Sequence, residues 1–316
     1  MLKGLDRAMG KTAFVFPGQG AQYIGMGKDF YEKEAVSREV FEKASRVTGL
    51  DLPAICFEEN EKLDITEYTQ IAMLTVELAV LEALKERGFA PDVTAGLSLG
   101  EYGAVAAAGA MEMEEAFAIV RRRGIYMQEA VPEGGAMAAV LGMENSLIEE
   151  VCSRTEGIVT VANYNCPGQL VISGEADAVE RAGQVLKEKG AKRVIPLKVS
   201  GPFHSQMLLP AAERLGKDLE KIHLKEFTTP YVANLTADYV TTPENIREFL
   251  KKQITSAVKW QQSVERMIAD GVTTFVEIGP GKTLTGFMKK INKEMTALNI
   301  DKYEDLEKAA EVLADA

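Results

Sequence analysis

Short apolar runs that alternate with long helical patterns constrain the fold of this 316-residue chain more than any other feature. The runs are rich in residues that favour strands, and they end at glycine or proline turns. They lie at residues 12–16, 93–95 and 274–278, and the helical patterns between them include residues 70–87 and 113–130. Strands that alternate with helices predict an α/β fold with a mainly parallel sheet.

Shorter elements replace this pattern from residue 135 onward. They are predicted as strand, helix, strand, strand, helix and strand at residues 136–141, 146–154, 159–164, 170–173, 175–189 and 193–198. This order is that of a ferredoxin-like unit. We therefore expect a small ferredoxin-like domain at residues 131–199, inserted into a large domain formed by residues 1–130 and 200–316. A cleft between two domains is a usual place for a functional site.

Composition argues against several classes of function. Acidic residues outnumber basic ones by 47 to 36, and the net charge of −11 disfavours a protein that binds nucleic acid or anionic membranes. No apolar run approaches the ~20 residues that span a bilayer, and the first residues contain no signal-peptide core. The cysteines include no CxxC pair, so they predict buried thiols and neither a metal site nor a disulfide framework. We therefore expect a cytoplasmic protein.

Two glycine-rich loops resemble nucleotide-binding motifs but lack an essential residue. Residues 18–20 begin like a dinucleotide fingerprint, yet Tyr23 stands where a third glycine would let helix and strand pack closely. Residues 281–283 read Gly-Lys-Thr, like the end of a phosphate-binding loop, but Val276 occupies the position of the first required glycine. Both loops are interpreted as turns between strands and helices.

The best candidate for catalytic chemistry is a serine flanked by glycines. Residues 96–100 read Gly-Leu-Ser-Leu-Gly, which matches the G-x-S-x-G elbow that presents a nucleophilic serine, here Ser98, between a strand and a helix. The backbone N–H of Leu99 would then face an oxyanion.

A serine hydroxyl is a weak nucleophile unless a base takes its proton, and the chain has only two histidines. His223 lies in a charged amphipathic run and is expected at the surface. His204 lies in a loop after the last predicted strand of the small domain, where the chain returns to the large one. We therefore predict His204 as the general base for Ser98.

A run of three arginines contains one that points into the protein. At helical spacing Arg121 and Arg122 share their faces with acidic and polar residues, whereas Arg123 lies among apolar ones. A buried guanidinium needs an anion, and its planar fork suits a carboxylate. Residues alone leave two candidates for that anion, a carboxylate of the protein and one of the substrate.

Five motifs in order along the chain carry a family resemblance. They are Phe-Pro-Gly-Gln-Gly at residues 16–20, Gly-Leu-Ser-Leu-Gly-Glu at 96–101, Arg123, Phe-His-Ser at 203–205 and Glu-Ile-Gly-Pro-Gly at 277–281. Together they resemble the malonyl-CoA:acyl carrier protein transacylases of fatty acid synthesis, over nearly the whole chain. The resemblance implies an α/β-hydrolase-like large domain, a ferredoxin-like small one and an active site between them.

The resemblance also implies roles for residues around the nucleophile. Backbone N–H groups of Gln19 and Leu99 would form the oxyanion hole. The main-chain carbonyl of Gln253 would orient His204, so that no acidic third member is needed.

Three further residues bear on the substrate. The resemblance places the malonyl carboxylate on Arg123. In related domains a phenylalanine before the histidine goes with malonyl and a serine with methylmalonyl, so Phe203 is expected to select malonyl. Leu97 stands where the family usually has a histidine, which leaves the substrate contacts of that histidine without a counterpart.

The predicted function is ping-pong transfer of a malonyl group from malonyl-CoA to the phosphopantetheine thiol of acyl carrier protein, through an ester on Ser98. Coenzyme A enters as part of the substrate, and no cofactor is expected. One alternative is a serine esterase or thioesterase, which would pass the acyl group to water; it is disfavoured because such hydrolases usually place their histidine late in the chain. The other is a non-catalytic module that docks carrier proteins.

Overall fold

The computed structural model describes residues 10–131, 133–199 and 201–314. The first nine residues, on which the expectation of no signal-peptide core rests, lie outside this range, as does Ser200 at the predicted domain boundary. The strands are β1 (Lys11–Phe16), β2 (Val93–Gly96), β3 (Gly135–Leu141), β4 (Val159–Cys166), β5 (Gln169–Glu175), β6 (Arg193–Pro196), β7 (Tyr231–Val232), β8 (Tyr239–Val240), β9 (Val272–Ile278) and β10 (Thr296–Ile300).

Helices connect and cover these strands. They are α1 (Lys28–Lys33), α2 (Ala35–Thr48), α3 (Leu52–Phe57), α4 (Thr66–Glu86), α5 (Gly100–Ala107), α6 (Met113–Ala130), α7 (Asn145–Arg154), α8 (Ala176–Glu188), α9 (Leu209–Leu219), α10 (Ile246–Gln253), α11 (Trp260–Ala269), α12 (Thr283–Ile291) and α13 (Tyr303–Ala314).

The main sheet has the strand order β10-β9-β1-β2-β7-β8. Its neighbours pair in parallel except for β7 and β8, which pair antiparallel at one edge. Strands β1 and β2 lie in the middle and are almost wholly buried, which explains their continuous apolar sequences. The prediction of an α/β fold with a mainly parallel sheet is confirmed.

Helix α4 forms the centre of the layer beside this sheet. It is apolar around most of its circumference, as expected for a helix that packs on several sides, and it contacts α2 and α6. The helix predicted at residues 113–130 is present as α6 with the same bounds, whereas the one predicted at 70–87 begins earlier, at Thr66. Helix α6 lies against α4 over much of its length, which brings the inward face of α6 towards the carboxyl ends of the strands.

The second sheet is antiparallel, with the order β4-β5-β3-β6. Its strands and the helices α7 and α8 follow the predicted order of strand, helix, strand, strand, helix, strand. Alternate residues of β3 face opposite sides, because side chains alternate along a strand. Ala138 and Val140 pack with α7 and α8 in a core of their own, while Met137 and Ala139 join the core of the main sheet.

Strand β6 is shorter than the strand predicted at residues 193–198. It ends at Pro196, and Val199 donates its backbone N–H to the carbonyl of Leu197 in a turn. Leu197 still donates its backbone N–H to the carbonyl of Met137 and packs against the core of the main sheet, whereas Val199 is exposed, so the strand ends before the predicted residue 198.

None of the helices in the described ranges is long and apolar enough to cross a membrane. All three cysteines are buried and free, as the sequence predicted. Burial raises the pKa of the Cys56 thiol, which keeps it protonated and unreactive.

Candidate active site

Ser98 lies at a sharp turn between β2 and α5, at the carboxyl edge of the main sheet. Its φ of 55° is in the left-handed region, which is strained for a residue other than glycine. The glycines on either side permit this turn: a Cβ on Gly96 would lie 1.9 Å from the carbonyl carbon of Gly100, and one on Gly100 would lie 2.1 Å from the backbone oxygen of Phe16. The elbow predicted from the sequence is therefore formed by close packing of backbone against backbone.

His204 lies in the loop after β6, where the chain returns from the antiparallel sheet to the main one, and its side chain reaches Ser98. Its Nε2 lies 2.8 Å from Ser98 Oγ, and its Nδ1 lies 2.8 Å from the main-chain oxygen of Gln253. Because that carbonyl only accepts, Nδ1 carries the proton and Nε2 is left to accept the serine hydroxyl proton. His204 also has a positive φ, 60°, so both members of the pair are held in strained backbone.

The electrostatic surroundings of His204 keep its imidazole neutral. Burial, and then the positive charge of Arg123, lower the pKa of His204 to about 4. A neutral imidazole is the form that can take a proton from the serine.

Two side-chain amides that the sequence did not single out for this role hold the elbow in place. Asn234 accepts the backbone N–H of Ser98 at 2.7 Å and donates to the carbonyl of Gly96 at 2.6 Å. Gln253, expected to act through its main chain, also donates its side-chain N–H to the carbonyl of Ser98 at 2.8 Å. Both peptide groups of the strained serine are thereby fixed.

Arg123 is buried at the base of the site and is 1% exposed. Its Nη1 donates to Gln70 Oε1 at 2.7 Å, and its Nη2 donates to Ser98 Oγ and to Gln253 Oε1, both at 3.1 Å. Among the described residues its Nε has no hydrogen-bond partner, and no carboxylate oxygen lies within 4.0 Å of the guanidinium nitrogens. The guanidinium is therefore held by neutral amides and is free of a protein ion pair.

The two neighbouring arginines have different surroundings. Arg121 is partly buried and pairs with Glu67, while Arg122 is more exposed and pairs with Asp218. The helical faces predicted for the three arginines are thus confirmed, although Arg121 is less solvated than its polar face suggested.

A cavity of about 340 Å³ opens above Ser98, between the main sheet and the antiparallel one. The main-sheet side contributes the predicted site residues Gln19, Leu99, Phe203 and His204 together with Ser98 and Arg123. The antiparallel side contributes Met137, Asn163, Asn165, Val171, Leu197 and Lys198. Phe203 is 7% exposed and presents its ring to this cavity. Every residue expected at the site lines the cavity or, in the case of Gln253, contacts residues that do.

Other residues flagged by the sequence lie elsewhere or have structural partners. His223 is exposed, and its backbone N–H donates to Glu115. The Glu277 carboxylate accepts the backbone N–H groups of Leu284 and Thr285, at 2.9 and 2.8 Å. Since those are the donors that a phosphate would need at the start of α12, the Gly-Lys-Thr loop is a capped helix start.

The chain is similar to known proteins over almost its whole length. The sequence profile of the acyl transferase domain matches residues 13–310. Malonyl CoA-acyl carrier protein transacylase of Bacillus subtilis is 47% identical over 312 residues, which is 97% of this chain and 98% of the relative. The Escherichia coli protein of the same name is 42% identical over 309 residues, covering 96% of this chain and all of the relative.

Solved structures agree with this similarity. The crystal structure of malonyl CoA-acyl carrier protein transacylase from Clostridium perfringens has a TM-score of 0.93 at 45% identity, over 96% of this chain and 98% of that one. A malonyl-transacylase in complex with its type II polyketide synthase acyl-carrier protein has a TM-score of 0.93 at 40% identity, over 96% and 99% of the two chains.

Proposed function

This chain belongs to the acyl transferase family, and on that premise we propose that it moves a malonyl group from coenzyme A to acyl carrier protein through an ester on Ser98. The enzyme is an S-malonyltransferase, with malonyl-CoA and acyl carrier protein as its substrates. The observation that carries the residue-level proposal is the buried guanidinium of Arg123, which lies 3.1 Å from the serine oxygen and has no carboxylate of the described residues within 4.0 Å.

The first half of the reaction loads the serine. His204 Nε2 takes the proton of Ser98 Oγ as that oxygen attacks the thioester carbonyl of malonyl-CoA. The backbone N–H groups of Gln19 and Leu99, at the cavity wall beside the serine, stabilise the oxyanion. The thiolate of coenzyme A leaves with the proton that His204 returns.

The second half unloads it onto the carrier. The phosphopantetheine thiol of acyl carrier protein enters the same cavity and gives its proton to His204 as it attacks the malonyl ester. The tetrahedral intermediate collapses, and Ser98 Oγ recovers its proton from His204. Each step is an acyl or proton transfer that the serine and histidine supply, so the proposal includes no cofactor.

Arg123 selects an acid substrate by this account. A malonyl carboxylate would complete the charge balance of a guanidinium that, within the described part of the chain, donates its hydrogen bonds only to neutral oxygens and lies beside the ring of Tyr102. Phe203 borders the same space and crowds an α-methyl group, which favours malonyl over methylmalonyl. Leu97 lines the cavity in place of the usual histidine and supplies an apolar contact there.

A hydrolytic esterase would use the same serine and histidine with water as acceptor. Nothing in the cavity favours it, and a carboxylate-reading arginine beside the nucleophile adds a specificity that a general esterase lacks. A docking module without catalysis would have no use for two residues held in strained backbone within hydrogen-bond distance of each other.

The finer description of the fold is part of the proposal. The strands lie in the order β4-β5-β3-β6, and along the chain α7 follows β3 and α8 follows β5. This arrangement supports a ferredoxin-like unit within residues 131–199. The elbow at the carboxyl end of a parallel strand supports an α/β-hydrolase-like description for the remainder. We place the enzyme in the cytoplasm, as a supplier of malonyl groups to fatty acid synthesis.

Transfer to the carrier thiol tests the function. The enzyme is mixed with malonyl-CoA and either holo-carrier protein or the apo form, which is matched in every respect but lacks phosphopantetheine. Malonyl-carrier should form only with the holo form, and free malonate should accumulate slowly with either. Rapid release of malonate that ignores the carrier would instead identify a thioesterase.

A further inference from the structure

Glu101 is a buried acid close to the nucleophile Ser98, and the proposed reaction cycle does not use it. It lies in the first turn of α5, three residues after Ser98, and is 0% exposed. Its Oε2 accepts the side-chain N–H of Gln253 at 2.6 Å, and its Oε1 has no hydrogen-bond partner among the residues that the structure describes. A carboxyl group buried in this way is unfavourable as an anion unless a nearby positive charge stabilises it.

The side chain of Gln253 joins this acid to the proposed substrate-binding arginine. Its Nε2 donates to Glu101, and its Oε1 accepts from Arg123 Nη2 at 3.1 Å. Glu101 and Arg123 do not form a direct ion pair within 4.0 Å in the described part of the chain. A single amide thus separates a buried cation from a buried acid, close enough for each charge to affect the other.

The pKa of Glu101 lies near neutral pH, so its protonated and ionised forms are close in free energy there. Burial raises the pKa of Glu101 to about 7, against the hydrogen bond from Gln253, the backbone of Asn234 and the positive charge of Arg123. The other titratable groups facing it are Tyr102 on its own helix and Tyr231 on β7, and burial raises the pKa of both phenols. These phenols are therefore neutral, and Arg123 is the charged group that favours ionised Glu101, in addition to the larger effect of the hydrogen bond from Gln253.

We propose that Glu101 takes up a proton from solvent when the substrate carboxylate binds Arg123 and releases it when the malonyl group leaves. The inference rests on the proposed function and deepens it. A substrate carboxylate neutralises the guanidinium and adds a second negative charge within the same buried volume. Like charges in a site of low polarity raise the pKa of the group that can still accept a proton. The bond formed is O–H on Glu101, and the proton comes from water or buffer.

The sign of the pH effect follows from this coupling. Well below its pKa of about 7, free Glu101 is already protonated, so binding needs no proton. Above pH 7 the acid must gain a proton as the substrate binds, and affinity falls by up to about tenfold per pH unit. Acetyl-CoA carries no carboxylate for Arg123, and its affinity should not follow this dependence.

Calorimetry measures the proton directly. A Ser98→Ala enzyme, which binds without turnover, is titrated with malonyl-CoA at pH 7.5 in buffers of different ionisation enthalpy. Acetyl-CoA is the matched ligand, and it removes any contribution from ionisation of coenzyme A itself. We expect uptake of a large fraction of one proton with malonyl-CoA and none with acetyl-CoA.

Two glutamate variants in the same background assign the group. Glu101→Gln should abolish proton uptake and flatten the pH dependence of affinity. Glu77→Gln is the matched control, because Glu77 is also 0% exposed but, among the described residues, makes no hydrogen bond to Gln253 or Arg123. It should leave uptake unchanged. Proton uptake that persists in the Glu101→Gln variant would overturn the inference. So would the absence of uptake in the Ser98→Ala enzyme that retains Glu101.

A failure of the proposed function gives a different result, since malonyl-CoA would then bind no better than acetyl-CoA and Arg123→Ala would not weaken it. If Glu101→Gln does not fold, difference infrared spectra of the Ser98→Ala enzyme decide the question. A protonated carboxyl band should appear when malonyl-CoA is added. Its absence would overturn the coupling.

Discussion

The two walls of the cavity are built from different chemistry. The main-sheet wall holds Ser98 and His204 in strained backbone above a buried cation, with amides that fix the elbow. The antiparallel wall presents apolar side chains and the neutral amides Asn163 and Asn165, with Lys198 at the exposed edge. The difference separates the reacting atoms and the charged group proposed to bind the substrate carboxylate, on one wall, from a surface of apolar and amide side chains on the other.

Packing supports this separation. The cavity-facing Met137 and Val171 of the antiparallel sheet contribute side chains to the core of the main sheet, and the opposite face of that sheet packs in a separate core with α7 and α8. The elbow depends on backbone packing instead, because Gly96 and Gly100 lie against other backbone atoms. Substitutions on the two walls should therefore differ in the size of their effects and in the kinetic constant, kcat or KM, that they change.

The largest loss of activity is expected when the general base, His204, is removed. His204→Ala should lower kcat/KM for malonyl transfer by about 10²–10⁴-fold, since His204 is the only base that the described residues place within hydrogen-bond distance of Ser98 Oγ. His223→Ala is the matched control, because the only other histidine is exposed and outside the cavity. Steady-state transfer by both variants checks this, and equal loss in the two would remove His204 from the mechanism.

The second largest loss of activity is expected when the buried guanidinium of Arg123 is removed. Arg123→Ala should lower kcat/KM for malonyl transfer by about 10²–10³-fold, in line with the ~2–5 kcal/mol lost when one partner of a buried charge pair is removed. Acetyl transfer should be spared or improved. Arg122→Ala, which removes a partly exposed arginine from the same helix, should change neither rate. Equal loss of malonyl and acetyl transfer would identify Arg123 as a structural residue.

Phe203 tests selectivity where the two walls meet. Phe203→Ser should raise methylmalonyl relative to malonyl transfer by about 10–200-fold in the ratio of kcat/KM, the range expected for one methyl group in a pocket. Competition between the two thioesters in one reaction measures this ratio. An unchanged ratio in a folded variant would assign the selection of the acyl group to other residues.

The smallest effect is expected on the antiparallel wall. Asn165→Ala should raise KM for the thioester substrates about 2–10-fold, as for one lost hydrogen bond, while kcat stays nearly constant. Tyr164→Phe is the matched control on the same strand, since its hydroxyl bonds to Glu149 rather than lining the cavity. A loss in kcat at Asn165 as large as that at His204 would break the division between the walls.

The sequence predicted the parts of this molecule whose signal is local. The elbow at Ser98 is specified by its own five residues, and the face of Arg123 follows from helical spacing over α6. Strands β1, β2 and β9 were predicted because buried parallel strands read as continuous apolar runs. Strands β7 and β8 were missed because two residues each leave no periodic signal.

Contacts made through tertiary packing could not be predicted in the same way. Asn234 and Gln70 reach Ser98 and Arg123 from elements far away in the chain. One signal could have found Asn234: it follows the apolar residues of β7, and the carboxyl ends of parallel strands meet at one edge. Since Ala95 pairs with Val232, the residues just beyond both strands necessarily approach each other.

Intact-mass analysis of the enzyme mixed with malonyl-CoA tests the central claim most directly. The enzyme should gain the mass of one malonyl group, which peptide fragmentation should locate on Ser98 and which holo-carrier protein should remove. Ser98→Ala should remain unmodified, while Ser37→Ala, which alters a buried serine bonded to the carbonyl of Ala79, should be loaded as usual. An adduct that persists on Ser98→Ala, or one that holo-carrier protein cannot remove, would contradict the account.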